Sequence, residues 1–104
     1  MNTDELAQKL HAGSVDEIVI ESMEGDIYLI RPSVGGVADV LIDEQGRLSS
    51  YQSLNAAKTQ LRELGSAERV PLYFRHSVAH DEMMGSSNET AEDRMPITLE
   101  GQSQ

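Results

Sequence analysis

The chain contains no cysteine, so no disulfide, thiolate metal site or cysteine nucleophile is available to it. That agrees with a reducing compartment without requiring one. Aromatic side chains make up only 4% of the residues, which leaves aliphatic packing to carry stability. Basic residues are few: eight Lys and Arg stand against 18 Asp and Glu, for a formal net charge of −10. Such a field repels nucleic acid and anionic lipid and favours solubility. The bases before residue 81 (Lys9, Arg31, Arg47, Lys58, Arg62, Arg69 and Arg75) are scattered, and no run of them forms a basic patch. Nucleic acid is therefore not an expected partner. No apolar run approaches the roughly 20 residues that span a bilayer. The acidic start, Met1-Asn2-Thr3-Asp4-Glu5, is unlike the basic n-region and apolar h-region of a secretory signal. The expected setting is cytoplasmic, with no membrane association.

The strings that announce common chemistries are missing as well. There is no G-x-x-x-x-G-K-[ST] loop to cradle phosphates and no G-x-G-x-x-G fingerprint. Gly35-Gly36 joins two expected strands and leads into no helix. The G-x-S-x-G elbow of serine hydrolases is absent. Ser77, His80 and Asp81 are close along the chain, but that is not triad geometry. The acidic pairs Asp4-Glu5, Asp16-Glu17 and Asp43-Glu44 are most simply read as solvated surface, since acid–base work needs two carboxyls in different environments inside one cleft.

The hydrophobic pattern describes one domain over residues 1–84. With about 75 ordered residues, typical stabilities give a total of roughly 4–11 kcal/mol. Thr3 is placed to cap a short helix carrying Leu6 and Leu10 one turn apart, which Gly13 would end. Residues 18–23 and 27–31 are β-branched and apolar, and the Glu24-Gly25-Asp26 turn makes them a hairpin. Pro32 to Gly36 breaks the pattern. Residues 37–42 and 47–51 follow as two further strands about the Asp43-Glu44-Gln45-Gly46 turn, which completes an antiparallel meander. Ser53 should cap a second helix, where Leu54, Ala57, Leu61 and Leu64 fall on one face and Gly65 marks the end. Val70 to Arg75 reads as a fifth strand.

The expected fold class is thus α+β, in the order α-β-β-β-β-α-β. An antiparallel sheet of about five strands carries the second helix on one face, with the first helix at an end or edge. The expected core is Leu6, Leu10, Ile18, Ile20, Ile27, Leu29, Val40, Ile42, Leu48, Leu54, Ala57, Leu61, Leu64, Val70, Leu72 and Phe74. Residues 85–104 have little to bury and are expected to form a disordered acidic tail. Within it the apolar island Met95-Pro96-Ile97-Thr98-Leu99 is expected to do nothing, the alternative being a weak docking segment.

One polar cluster stands out. His76-Ser77-Val78-Ala79-His80-Asp81-Glu82-Met83-Met84 packs two histidines, two acids and two thioethers into nine residues. If the segment is helical, His76 and His80 share a face at i, i+4, with Asp81 or Glu82 adding an oxygen ligand to a divalent metal. If the strand continues to His80, the two histidines lie roughly 13 Å apart, at about 3.3 Å per residue, and cannot share one ion. His76 would then be the fourth member of the Val70-Leu72-Phe74 face, a core histidine with one hydrogen bond. The bland reading, in which the segment closes the domain and an acid caps a terminal turn, is the simplest. It assigns no catalytic residue and no cofactor beyond that possible metal.

Several pieces (Ile27-Tyr28-Leu29, Leu41-Ile42-Asp43-Glu44-Gln45-Gly46, the Ser53-to-Leu64 helix and above all Val78-Ala79-His80-Asp81-Glu82-Met83-Met84-Gly85) resemble those of a family of short, uncharacterised bacterial proteins, over roughly residues 1–85. The resemblance implies a domain of unknown function and draws attention to His80-Asp81-Glu82 without assigning them a role. Some relatives carry names that suggest a transporter ATPase, but this sequence lacks the P-loop such a name requires. The functional expectation is a small accessory or protein-interaction domain without catalysis. Its partner would be another protein or a second copy, pairing through a sheet edge. The alternative is a divalent-metal-binding module built on His76, His80, Asp81 and Glu82.

Overall fold

The structure is a computed structural model that describes residues 1–23, 26–76 and 94–99. The fold is α+β, with two helices and a mixed sheet of six strands.

Helix α1 (Thr3–Ala12) begins one residue earlier than its hydroxyl suggests. Asn2, not Thr3, is the cap: its side chain accepts from the Glu5 amide at 2.8 Å, and the Glu5 carboxylate accepts from the Asn2 amide at 3.0 Å. This reciprocal capping box satisfies two helix-end donors at once. Gly13, at φ +76°, closes the helix in the left-handed region that glycine occupies without a Cβ penalty. Leu6 and Leu10 are buried in the main core, so α1 belongs to the core and is no peripheral attachment.

Strands β1 (Val15–Met23) and β2 (Ile27–Val34) form the expected hairpin. Met23 pairs with Ile27, which sets Ile20 opposite Ile30 and Ile18 opposite Pro32. The helix-facing side of β2 is therefore Tyr28, Ile30 and Pro32; of the two residues expected in the core, Leu29 is buried but on the opposite face, and Ile27 is not buried. A slip of one residue moves every side chain to the other face. Ile30 is fully buried, whereas Ile27 is 41% exposed. Pro32 does not end β2 as expected. The Ile18 amide donates to Pro71 O on its other side, so Ile18 and Pro32 form a non-hydrogen-bonded pair and the missing proline N–H falls on the outer edge.

That outer edge is sealed by residues 37–51. Strands β3 (Val37–Ala38) and β4 (Ser50–Tyr51) pair its two ends, and the amides of Asp39 and Leu41 donate to Pro32 O and Ile30 O between them. Both strands are shorter than expected. Residues 40–42 turn aside to the N-terminal residue, whose ammonium donates to Val40 O and whose carbonyl accepts from the Ile42 amide. Only the Ile42–Leu48 bridge remains of the inner hairpin. Leu41 is consequently buried, while Leu48, expected in the core, is 54% exposed.

Helix α2 (Leu54–Leu64) forms as expected, capped by Ser53 Oγ accepting from the Ala56 amide at 3.0 Å. Ala57 and Leu61 are fully buried. After a 3₁₀ turn at Ala67–Arg69, the chain enters β5 (Leu72–His76) beside β1 and parallel to it, with Ile18 opposite Leu72 and Ile20 opposite Phe74. The expected all-antiparallel sheet is thus mixed. With the outer edge of β2 already occupied, the free side of β1 receives the returning chain, and α2 is the crossover that a parallel pair requires.

The apolar island of the tail is not idle. Arg94–Ile97 forms β6, antiparallel to β5, and Leu99 is buried in the core cluster. Low hydrophobicity around an apolar pentapeptide argued for disorder, but an unpaired β5 edge and a gap in the aliphatic core outweigh composition at these residues. Residues 85–93 and 100–104 lie outside the described residues. The strand order is β3-β2-β1-β5-β6, with β4 also on β2. Both helices pack on the face carrying Ile18, Ile20, Ile30 and Leu72.

Candidate functional site

Register determines what stands on the other face. Arg31 and Tyr73 flank Val19, Leu29 and Arg75 flank Glu21, and Arg94 lies opposite Arg75. Side chains in register share a face. Four neighbouring strands therefore carry Arg31 (β2), Glu17, Val19 and Glu21 (β1), Tyr73 and Arg75 (β5) and Arg94 (β6) on the side away from both helices.

Charge is layered on this face. Glu21 is only 4% exposed although it lies outside the core cluster. Its carboxylate accepts from Arg31 Nε and lies 3.3 Å from Arg75 Nη2. A carboxylate this far from water needs such partners. The arginine side chains remain 37% and 44% exposed. Next to this group, Arg94 donates twice to Glu17, at 2.6 and 3.0 Å, and its guanidinium lies 4.4 Å above the Tyr73 ring. The bidentate bond to Glu17 holds Arg94 above its ordinary pKa. The fork and the ring together fix the plane of that guanidinium.

Three of the chain's six arginines thus stand on one face with two carboxylates. Their charges sum to +1 on a chain of −10. Two of the bases that look scattered along the sequence, Arg31 and Arg75, are brought together here because β1 pairs with β2 on one side and β5 on the other. A sequence signal for this does exist: Glu17 and Glu21, Arg31, and Tyr73 and Arg75 each fall on the strand positions that alternate with the core residues.

His76, the candidate metal ligand, is the last residue of β5 and stands opposite Ser22 in register. It is in strand rather than helix, so the i, i+4 geometry does not begin at this residue. It does share the alternation of Leu72 and Phe74, but exposure rises along β5 and His76 itself is exposed. It is therefore not the core histidine of the sequence reading. His80, Asp81 and Glu82 lie outside the described residues. Among the described residues, no group of three or more His, Cys, Asp and Glu is placed to share a metal ion.

A cleft of about 320 Å³ opens between the start of α1, the Asp43 turn and α2, with Thr3, Asp43, Ser49, Tyr51 and Gln60 among its walls. Among the described residues, no histidine, lysine or arginine lines it. Burial pushes the Tyr51 phenol up, against the opposing hydrogen bond with Ser49, so at neutral pH it keeps its proton. Asp43 is occupied by its own turn, accepting from the amides of Gln45 and Arg47 at 2.9 Å each. The walls offer hydroxyls, amides and the carboxylate of Glu44, and no cationic side chain among the described residues stands beside them.

No helix among the described residues is long and apolar enough to cross a membrane. Across residues 1–104 the chain matches a family of unknown function, DUF6482, and it belongs to that family. No curated protein and no solved structure matches it.

Proposed function

We propose that this domain is a small cytoplasmic accessory module that works by binding another protein, without chemistry of its own. The observation that carries the reading is the sheet face opposite the helices. A two-layer α+β domain buries one sheet face under its helices. Here the other face carries the nearly buried Val19, Glu21 and Leu29, framed by partly exposed arginines and Tyr73. Arginine and tyrosine are the residue types that protein interfaces favour.

The face is better suited to this role than a sheet edge. The edge of β2 is occupied by residues 37–51, and the β6 edge carries Pro96, which cannot donate to an added strand. Self-association through an edge is the weaker form of the same proposal. The divalent-metal reading on His76, His80, Asp81 and Glu82 stands as a separate proposal, supported by the density of ligand types in the sequence.

Site-specific photo-crosslinking in cells distinguishes these. A photoreactive side chain at Ser33, on the arginine face, should capture a discrete protein, and the same group at Lys58 on α2 should not. Equal capture at both positions, or none at Ser33, would overturn the interaction reading. Zn²⁺-induced ¹H–¹⁵N shifts confined to His76 and its neighbours, and lost in His80→Ala, would favour the metal module instead.

A further inference from the structure

Resting on that reading, we infer that the arginine face receives an acidic segment of a partner protein, with partner carboxylates seated on the guanidiniums of Arg31 and Arg75. Each guanidinium carries five N–H donors. Glu21 takes Arg31 through Nε and meets Arg75 through Nη2, and no other acceptor bonds either group among the described residues. Among the described residues, donors thus remain without an acceptor on both, and both partly exposed groups converge on one carboxylate. That common anchor restricts the two side chains before any ligand arrives. Less side-chain freedom is then lost on binding.

Arg94 extends the cationic surface along the same face, held by its two bonds to Glu17 and stacked over the Tyr73 ring. A planar guanidinium with free edge donors matches a carboxylate in bidentate fashion. The occupant is identified by charge. An excess of one positive charge suits a short acidic segment. The strongly negative whole chain opposes a long polyanion such as nucleic acid, whose affinity depends on many phosphate contacts. Binding of the acidic segment rests on the local attraction between guanidinium and carboxylate, which salt screens and weakens.

The arrangement makes a prediction of opposite sign for neighbouring residues. Glu21 competes with any incoming carboxylate for the same donors, whereas Gln at this position still accepts from the guanidiniums and keeps them ordered without the competing charge. Glu21→Gln should therefore strengthen binding, and Arg75→Gln should weaken it.

The test uses the full chain and a fluorescein-labelled hexaglutamate peptide, read by anisotropy at low salt. Glu21→Gln should tighten binding by about threefold and Arg75→Gln should weaken it by about fivefold, the scale of a surface ion pair. Arg47→Gln, in an exposed turn away from this face, should stay within about twofold of the parent, and raising the salt should weaken all of them. Arg75→Gln leaves Glu21 its bond to Arg31, so the variant keeps its fold, as circular dichroism will report. Weaker binding in Glu21→Gln, an equal loss in Arg47→Gln, or tighter binding of a hexathymidine strand than of hexaglutamate would each overturn the inference. A neutral or basic partner crosslinked from Ser33 would overturn it too, while leaving the interaction function intact.

Discussion

Arg31→Gln combined with Arg75→Gln would leave the Glu21 carboxylate, 4% exposed, without a cationic partner among the described residues. Removing one side of a buried ion pair typically costs about 3–5 kcal/mol, because the remaining charge stays desolvated. Both arginines are partly hydrated, which places this case near the lower end. The reverse perturbation differs in kind. In Glu21→Gln the two guanidiniums, 37% and 44% exposed, regain water and no charge is stranded. Its cost is that of exposed ion pairs, about 1 kcal/mol. The triple variant, neutral at all three positions, should resemble Glu21→Gln and not the double. Urea unfolding at pH 7 reads all three. A loss of about 3 kcal/mol, against a total of roughly 4–11, lowers the midpoint by about 1–3 M for slopes typical of small domains. A double arginine variant no less stable than Glu21→Gln, or a triple variant as unstable as the double, would refute the view that Glu21 is a buried charge held by its partners.

Leu61→Ala, at a fully buried position, should cost about 2–5 kcal/mol in the same assay. Leu99→Ala should cost about 2 kcal/mol, and a null effect would place the segment after β6 outside the cooperative unit. Arg94→Ala removes both hydrogen bonds to Glu17 and the contact with Tyr73, so amide exchange should accelerate at Met95 and Ile97 before it does in β1. The Asp39 and Asp43 carboxyls are held below the ordinary range, first by the backbone amides of Val40 and Arg47 respectively. Their folded pKa values lie below the unfolded value of about 3.9. The stability they contribute is therefore complete above that value and lost as pH falls through the folded values. Asp43→Asn should accordingly flatten the acid limb of a pH–stability profile below about pH 4 and leave its slope near pH 7 unchanged.

Local signals suffice where they act alone. The 3-4-3 spacing of Leu54, Ala57, Leu61 and Leu64, with Ser53 before and Gly65 after, specifies α2, and the structure places it there. The β1–β2 hairpin was equally legible, but its parity was not. Ile27 and Leu29 look no less apolar than Tyr28 and Ile30. Only the three-residue connection from Met23 to Ile27 determines that Ile30, not Leu29, meets Ile20. What remained illegible is long-range. Nothing near Leu72 declares that β5 lies parallel to β1, and so nothing brings Arg75 to Glu21. The composition around Met95–Leu99 argues for disorder at residues that in fact complete the sheet and the core. The arginine face is illegible for the same reason: its residues come from four strands, and only the tertiary register assembles them.

The parallel pairing of β1 with β5 also bears on how the chain folds. The β1–β2 hairpin joins neighbouring residues, but Ile18 and Leu72 are separated by more than fifty residues of chain. Loop-closure entropy opposes that contact until α2 has collapsed onto the hairpin, so it should form late. Until then the β5-facing edge of β1 is bare, along the apolar run Ile18-Val19-Ile20. Such an edge invites pairing with the same edge of another chain. During synthesis or refolding, crowding should therefore favour strand exchange at β1, and β5 is the element whose timely arrival keeps the chains apart.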